Sequence, residues 1–256
     1  MTIAFKPAEK LTEVAAQAIL EPLQVDDPRY VDLAAGRGTK ELKQLQLHLE
    51  DQSGRDNRFA KVAFTGHRGS GKSTELFRLE QRLSERFTCI HLAVDETLSR
   101  DLDYTDLLLW LVESVAKDFA ERKMPLDKRL VDDVADWFAE TAVEDTDSLK
   151  AGISAESEVE GEAKFSLYLV SLKILARLKS QISGNIERRR TIRQQLQNYS
   201  ADLIRKVNLL LDNAARVLEA NGKDPDLLIV HDNLDRLSAT AARRLFLDNG
   251  DLLKDL

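Results

Sequence analysis

Cysteine is almost absent from the sequence, since Cys89 is its single cysteine. One thiol cannot form a disulfide within the chain, which fits a reducing compartment such as the cytoplasm. The four histidines, His48, His67, His91 and His231, do not have the spacing of metal ligands, and no Gly-x-Ser-x-Gly segment is present. Neither a structural zinc site nor a serine hydrolase is therefore indicated.

Long apolar runs and an excess of positive charge are missing as well. The longest apolar run, LLLWLV at 107–112, is too short to cross a bilayer. The N-terminus, MTIAFKPAEKLTEVAAQAIL, carries charged residues among its apolar positions, unlike a signal peptide. The formal net charge is −7, and an acidic surface repels nucleic-acid phosphates. We expect a cytoplasmic protein without a membrane partner, and nothing indicates nucleic acid as a partner.

Hydrophobic periodicity predicts a series of helices interrupted by three short strands. The predicted strands are RFAKVAFTG (58–66), TCIHLAV (88–94) and LLIVHD (227–232). Helical spacing predicts helices over residues 8–20, 39–52, 72–87, 104–123, 127–140 and 185–222, and after Ser238. A hairpin turning near Gly161 is predicted within 149–170, although the second half of that segment fits the start of a helix equally well.

The segment 185–222 is the longest predicted helix. Its apolar residues step by three or four positions, close to a heptad seam. The seam consists of Ile192, Leu196, Tyr199, Leu203, Val207, Leu210, Ala214 and Val217. The basic stretch IERRRTIR in this segment is explained by a solvated face, with a partner-docking arm as the alternative.

The segment GHRGSGKS, from Gly66 to Ser73, satisfies the pattern G-x-x-x-x-G-K-[ST] and lies between a predicted strand and a predicted helix. Such a loop wraps a polyphosphate with backbone N–H groups, and side chains at the glycine positions would obstruct it. Lys72 is predicted to neutralise the β- and γ-phosphates, and the Ser73 hydroxyl to bind Mg²⁺. A chance glycine-rich turn is the alternative. The predicted nucleotide-binding residues are Gly66, His67, Arg68, Gly69, Ser70, Gly71, Lys72, Ser73 and Thr74.

The segment LLIVHDNLDR supplies a candidate acidic partner for the loop. Asp232 ends an apolar strand, and open α/β sheets bind ligands at the carboxyl ends of their strands. We therefore predict that Asp232 holds Mg²⁺ through water. Asp235 is the candidate base for the attacking water, with Asn233 and His231 as competitors. An Asx turn and helix cap after a buried strand is the alternative interpretation.

The pair GHRGSGKST and LLIVHDNLDRL resembles the bacterial STAND and KAP-type P-loop ATPases of the AAA+-related group. The resemblance covers residues from about 30 to the end, but only these two motifs are specific. It places RYVDLAAGRGTKEL at the segment that packs against base and ribose, which makes Tyr30, Arg37 and Gly38 candidate contacts. Asn233 departs from the pattern, because KAP proteins usually carry another aspartate there.

The resemblance implies an α/β fold with a P-loop NTPase parallel-sheet core and a large, mostly helical insertion. The expected division is 1–26 (N-terminal helix and connector), 27–124 (first half of the core), 125–222 (helical insertion) and 223–256 (Walker-B strand and following helix). Residues 236–256 suffice for one helix, so we expect the core to continue beyond the chain end. Arg243 and Arg244 are surface residues in this interpretation, with an arginine-finger role as the alternative.

These expectations define a Mg-ATP-binding and hydrolysing STAND/AAA+-like switch ATPase, with catalytic residues Lys72, Asp232 and Asp235 and metal ligands Ser73 and Asp232. ATP is favoured over GTP by the resemblance and by the absence of an N-K-x-D motif. The resemblance also implies self-association or an effector partner, in a bacterial stress or antiviral defence system. The alternatives are a non-hydrolysing ATP-dependent scaffold, which recruits partners through the helical insertion, and a phosphotransferase.

Overall fold

The computed structural model of the chain describes residues 8–10, 12–14, 21–31, 40–52, 60–67, 69–94, 101–142, 163–184, 189–190, 193–194 and 199–256. The chain forms two compact units, Met1–Arg86 and Phe87–Leu256. The four-segment division expected from the sequence stays a prediction.

The described residues of the first unit include the helices α1 (Lys40–Gln52) and α2 (Lys72–Leu83). Residues 12–14, inside the helix predicted at 8–20, are helical as well. Both α1 and α2 follow the predicted apolar spacing, since Leu42 and Leu49 of α1 and Leu79 and Leu83 of α2 are buried. Helix α2 carries Glu75 in its first turn and Arg82 in its last, which suits the helix dipole at both ends.

The strand predicted at 58–66 is wrong over its described part. Residues 60–67 form neither helix nor strand, and most of them are exposed, with Val62 at 49%. A strand needs a neighbour to satisfy its backbone N–H and C=O groups, and the described residues of the first unit include no second strand. The apolar pattern alone therefore did not produce a strand here.

The second unit contains a parallel pair of strands, β1 (Thr88–Ala93) and β2 (Leu227–Asp232), as the sequence predicted. The register runs from Thr88 opposite Leu227 to Ala93 opposite Asp232. Residues 227–231 are only half-buried, not enclosed on both faces as expected. The reason is that β2 has one neighbouring strand in the described part of the chain.

The two faces of this sheet differ in chemistry, because side chains alternate along a strand and in-register partners share a face. One face packs on the helical core and carries Ile90, Leu92, Leu227, Ile229 and His231. The other face carries Cys89, His91, Ala93, Leu228, Val230 and Asp232. Asp232 therefore lies on the face turned away from the helices of its own unit.

Four long helices build the core of the second unit: α3 (Tyr104–Glu121), α4 (Lys128–Ala142), α5 (Ala163–Gly184) and α6 (Ser200–Ala220). The run LLLWLV lies in α3, which is buried on nearly all sides, as expected of a helix that is apolar all round. Asp103 and Asp106 form a capping box at its start. The fold is α/β and mostly helical, and this coarse prediction is confirmed.

Helix α6 confirms most of the predicted seam over its described part, although Val217 is only partly buried and its neighbour Leu218 is fully buried. Leu203, Val207, Leu210 and Ala214 are fully buried. Tyr199, at the N-cap of α6, is 59% exposed and does not join them. Ile192 and Leu196 lie outside the described residues.

After β2 the chain forms a 3-10 turn (Leu234–Arg236), helix α7 (Ala239–Arg243), a π-helical turn (Arg244–Asp248) and helix α8 (Gly250–Lys254). The Ser238 hydroxyl accepts a hydrogen bond from the Ala241 N–H at 3.1 Å, which caps α7 where the sequence predicted a helix start.

Two further expectations concern particular segments. The hairpin predicted near Gly161 lies outside the described residues, whereas α5 agrees with the alternative that a helix begins there. None of the helices in the described ranges combines the length and apolarity needed to cross a membrane.

Candidate functional site

The glycine-rich loop of the first unit has the backbone conformation that its glycines permit. Gly69 has a φ of 78° and Gly71 a φ of 85°, both in the left-handed region that residues with a Cβ rarely adopt. The Ser70 N–H donates to the His67 carbonyl at 3.1 Å, which closes the turn between them. Gly71 is the N-cap of α2, so the loop delivers the chain directly into the first turn of that helix.

Lys72 folds back over this loop. Its Nζ donates to the carbonyls of Gly66 at 3.2 Å and His67 at 3.1 Å. A Cβ on Gly66 would lie 3.3 Å from the Ser70 Oγ and 3.5 Å from the Lys72 Cδ. A Cβ at Gly66 would therefore crowd the Ser70 hydroxyl and only touch Lys72. The ammonium group lies over the loop that the sequence assigns to a polyphosphate.

The start of α2 adds further groups suited to an anion. The first N–H groups of any α-helix have no intrahelical partner, and the dipole makes that end positive. Ser73 lies in this first turn. The buried Thr74 uses its Oγ1 to accept a hydrogen bond from the Leu23 N–H at 3.1 Å, so its hydroxyl also fastens the connector to α2.

The connector at 21–31 packs along α2 through Tyr30. The Tyr30 hydroxyl donates to Glu75 at 3.1 Å, and the Arg78 guanidinium lies 3.8 Å from its ring centroid. Arg78 also donates to the Val25 carbonyl at 3.3 Å. Tyr30 thus has a structural role, and its contact with a nucleotide stays a prediction.

The structure describes only some of the remaining residues that the sequence assigned to nucleotide binding. His67 is described and exposed, and it contributes its carbonyl to the contacts above. Arg68, Arg37 and Gly38 lie outside the described residues.

In the second unit, Asp232 is buried at the carboxyl end of β2. Its Oδ1 accepts a hydrogen bond from the Asn233 N–H at 2.7 Å, and its Oδ2 lies 3.5 Å from the Nε2 of His91. The Val94 N–H donates to the Asp232 carbonyl at 3.1 Å. The carboxylate is therefore oriented from two sides, by its own turn and by the neighbouring strand.

The two histidines beside Asp232 occupy opposite sheet faces. His91 shares the face of Asp232, whereas His231 points toward the helical core. Burial lowers the pKa of His231 to about 4, and the positive charge of a protonated His91 adds to this shift. His231 is therefore neutral near pH 7.

Asn233 and Asp235 have different environments in the turn that follows. Asn233 has a φ of 64°, a left-handed conformation that asparagine tolerates better than most residues. Asp235 lies in the 3-10 turn and is exposed. The sequence placed Asp235 at the rim of a site, and its solvent-facing position is compatible with that prediction.

Sequence reasoning missed a cluster of five charged residues in the second unit. Asp106 is fully buried and pairs with Arg193, which is also buried. The solvated face predicted for IERRRTIR is therefore wrong at Arg193. Arg193 contacts Asp101 at 2.9 Å, and Arg244 contacts Asp101 at 3.2 Å and Asp103 at 3.4 Å. Burial raises the pKa of Asp106, and the Arg193 guanidinium opposes that shift. The repeat of aspartates in DLDYTD was the available sequence signal.

This cluster corrects the interpretation of Arg244 as a surface residue. Arg244 is 31% exposed and paired within its own unit, because its side chain reaches back to Asp101 and Asp103. Arg243, one position earlier, is 73% exposed and lies 3.7 Å from Asp248, as expected for a surface residue.

The chemistry of the candidate residues suits Mg²⁺, since hydroxyl and carboxylate oxygens are the ligands it prefers. Among the described residues, no group of three or more His, Cys, Asp or Glu side chains could hold a metal ion. In phosphate sites Mg²⁺ usually takes one or two protein ligands, and phosphate and water oxygens supply the rest. Ser73 and Asp232 fit that smaller requirement, each within its own unit.

Comparison with known proteins identifies no relative for this chain. No model of a known family, no curated protein and no solved structure matches it. The resemblance to STAND and KAP-type ATPases stays a prediction that rests on the two motifs.

Proposed function

We propose that the chain binds Mg-ATP through the loop at 66–74 and hydrolyses it, as a STAND/AAA+-like switch ATPase. The biological setting, a bacterial stress or antiviral defence system with self-association or an effector partner, rests on the resemblance alone. ATP would favour one conformational or oligomeric state, and hydrolysis would reset it.

One observation carries the nucleotide proposal: the path from Gly66 to Lys72. Two left-handed glycines turn the backbone into the start of α2, and the Lys72 ammonium lies against the Gly66 and His67 carbonyls. A polyphosphate would replace these neutral carbonyls with charged oxygens, which are stronger hydrogen-bond acceptors. The helix N-terminus adds backbone donors for the same anion.

The role proposed for Asp232 rests on contacts within the second unit. The Asn233 N–H binds Oδ1 of Asp232, so Oδ2 is the oxygen assigned to a metal-bound water. His91 faces that same oxygen from β1 and would act as a positioning residue for the carboxylate. This assignment is consistent with a Walker-B role for Asp232.

Asp235 remains the preferred base for the attacking water. Asn233 has an amide side chain, which cannot accept a proton at neutral pH. His231 lies on the opposite sheet face from Asp232, which weakens its candidacy. Asp235 carries a carboxylate three residues beyond Asp232, on the exposed side of the turn.

The exposure of Asp235 also favours the second candidate function, an ATP-dependent scaffold that does not hydrolyse. General-base catalysis needs a carboxylate held within hydrogen-bond reach of the attacking water. Asp235 is exposed, so solvent competes with the attacking water for its carboxylate, and ATP could remain bound without turnover. In this alternative, helices α4 to α6 would recruit a partner.

Phosphate release by the purified protein separates the two functions. The wild type should release phosphate from Mg-ATP, and Asp232→Asn should lower the rate by about 100-fold, because several kcal/mol of metal-dependent stabilisation are lost. The matched control is Asp224→Asn, which removes the same charge from an exposed position before β2 and should leave the rate unchanged.

Asp235→Asn tests the base separately and should also abolish turnover while ATP binding persists. Binding of Mg-ATP by the wild type without phosphate release would establish the scaffold instead. Equal rates for wild type and Asp232→Asn would refute the role of Asp232.

A further inference from the structure

The buried charged cluster joins three distant parts of the second unit. Asp101 and Asp103 precede α3, Arg193 comes from the segment before α6, and Arg244 begins the π-helical turn near the C-terminus. Asp103 and Asp106 also fix the start of α3, because the Asp103 N–H donates to Asp106 Oδ2 at 2.9 Å. The cluster therefore holds together segments that the sequence alone does not connect.

The two arginines of this cluster have different environments. Arg193 is almost completely buried and makes both a fork-like contact with Asp106 and a 2.9 Å contact with Asp101. Arg244 is 31% exposed, and its contacts with Asp101 and Asp103 are longer, at 3.2 and 3.4 Å. Breaking a buried pair leaves an uncompensated buried charge, whereas an exposed guanidinium can be hydrated. Release of Arg244 leaves the buried Asp103 without that ion pair, but separation of Arg193 from Asp106 would leave both charges buried. Arg244 can therefore separate at lower cost than Arg193.

The backbone at Arg244 is unusual as well. Its carbonyl accepts two hydrogen bonds from Asn249, one from the N–H and one from Nδ2, both at 3.0 Å. The bond from the Asn249 N–H spans five residues and defines a π-helical turn, a rare geometry that often marks functional sites. Arg244 thus takes part in the π-helical turn through its carbonyl and in the charged cluster through its side chain.

We propose that Arg244 is a releasable latch for the C-terminal segment 239–256, whereas Arg193 is a fixed part of the fold. When Arg244 is bound, it fastens the chain that leaves β2 to the chain that enters α3 after β1. These are the segments that follow the carboxyl ends of the two parallel strands. Release would loosen the backbone around the π-helical turn, while the fully buried Leu245 keeps the segment 239–256 on the helical core and α3 to α6 stay packed. This inference does not depend on the proposed ATPase activity.

Hydrogen exchange on the full chain tests the latch. Arg244→Gln should speed the exchange of the backbone amides at 241–249 by about tenfold, the loss expected for a partly exposed charged hydrogen bond. Amides of α3 and α6 should keep their protection. The matched control, Arg243→Gln, removes the same charge from an exposed neighbour and should leave the amides at 241–249 unchanged.

High salt provides a second measurement, because it screens the partly exposed Arg244 contacts more than the buried Arg193 contacts. In the wild type, 1 M NaCl should speed exchange at 241–249 as Arg244→Gln does, and it should add little to that variant. Should Arg244→Gln not fold, Arg244→Lys keeps the charge but loses the fork and should give a smaller, local increase. Equal exchange in Arg244→Gln and Arg243→Gln would overturn the proposal, and so would an equal increase over the whole second unit.

Discussion

Asn233 shows at the scale of one residue how backbone geometry selects a side chain beside the candidate site. Its φ of 64° lies in the left-handed region, where a Cβ costs about 1–2 kcal/mol and asparagine is among the better-tolerated residues. Its N–H also donates to Asp232 Oδ1. The left-handed conformation therefore accounts for a short polar side chain at this position, and it would suit aspartate as well.

The stability of Asn233 variants should depend on how easily the new residue adopts a positive φ. Asn233→Gly should change the free energy of unfolding by only a few tenths of a kcal/mol, whereas Asn233→Ala should lower it by about 1 kcal/mol. Urea unfolding of the two variants and the wild type measures the difference. An Ala variant as stable as the Gly variant would contradict the conformational explanation.

Tyr168 gives a test of burial through pH. Its hydroxyl donates to the Ala116 carbonyl at 3.0 Å, and burial raises its pKa to about 12. In the unfolded chain tyrosine ionises near pH 10, so between about pH 10 and 12 the unfolded state binds fewer protons than the folded state. The stabilising contribution is therefore complete below pH 10 and is lost as the pH rises through 12.

Comparison with Tyr168→Phe isolates this contribution. The variant should be less stable than the wild type at pH 8 by about 1 kcal/mol, since one hydrogen bond is lost. Its stability should then fall less steeply between pH 10 and 12, and this can be measured by urea unfolding across that range. Parallel stability curves for the two proteins would show that the hydroxyl is not buried as described.

Helix α6 shows what the sequence can predict at the scale of an element. Its seam was readable because burial on one side requires a repeat of three or four residues, and Leu203, Val207 and Leu210 obey it. Strands β1 and β2 were predictable from short apolar runs, which are also a local feature of the sequence. The strand prediction was wrong over residues 60–66, because strand formation also depends on a neighbouring strand that the local pattern does not specify.

Long-range pairing explains what the sequence could not provide. Nothing in the sequence pairs Arg193 with Asp106 or Arg244 with Asp101, because these contacts depend on how distant segments pack. The position of Lys72 at the head of α2 was predictable, since the loop pattern and the helix are both local. The contact of His91 with Asp232 was not, because it depends on strand register.

The buried residues of the α6 seam should contribute more to the free energy of unfolding than the exposed residues of the same helix. Leu203→Ala removes a fully buried side chain and should cost about 3 kcal/mol of unfolding free energy. Leu209→Ala, on the same helix at 38% exposure, should cost less than about 1 kcal/mol. Urea unfolding of both variants tests this, and similar losses would contradict the assignment of the seam.

At the scale of the whole molecule, the candidate residues are divided between two compact units. Lys72 and Ser73 belong to Met1–Arg86, and Asp232 belongs to Phe87–Leu256. The proposed function therefore requires phosphate binding by the first unit and metal binding by the second. At a concentration 100 times its dissociation constant, Mg-ATP should raise the free energy of unfolding of the unit that binds it by about 2.7 kcal/mol.

Backbone hydrogen exchange with and without Mg-ATP tests both of these requirements. The roles proposed for Lys72 and Asp232 predict slower exchange at residues 66–75 of the first unit and at residues 230–236 of the second. Lys72→Ala should remove the protection at both places. Protection confined to residues 66–75 would support binding by the loop and contradict the role assigned to Asp232.

The central claim is that the loop from Gly66 to Thr74 binds a nucleoside triphosphate through Lys72. Titration calorimetry with Mg-ATP measures it most directly, with wild type compared against Lys72→Ala and, as a control, Lys117→Ala, which removes an exposed ammonium of α3. We predict saturable binding by the wild type and the control, and a loss of at least about tenfold in affinity for Lys72→Ala. Absence of binding by the wild type at millimolar Mg-ATP, or equal affinity in Lys72→Ala, would contradict the account.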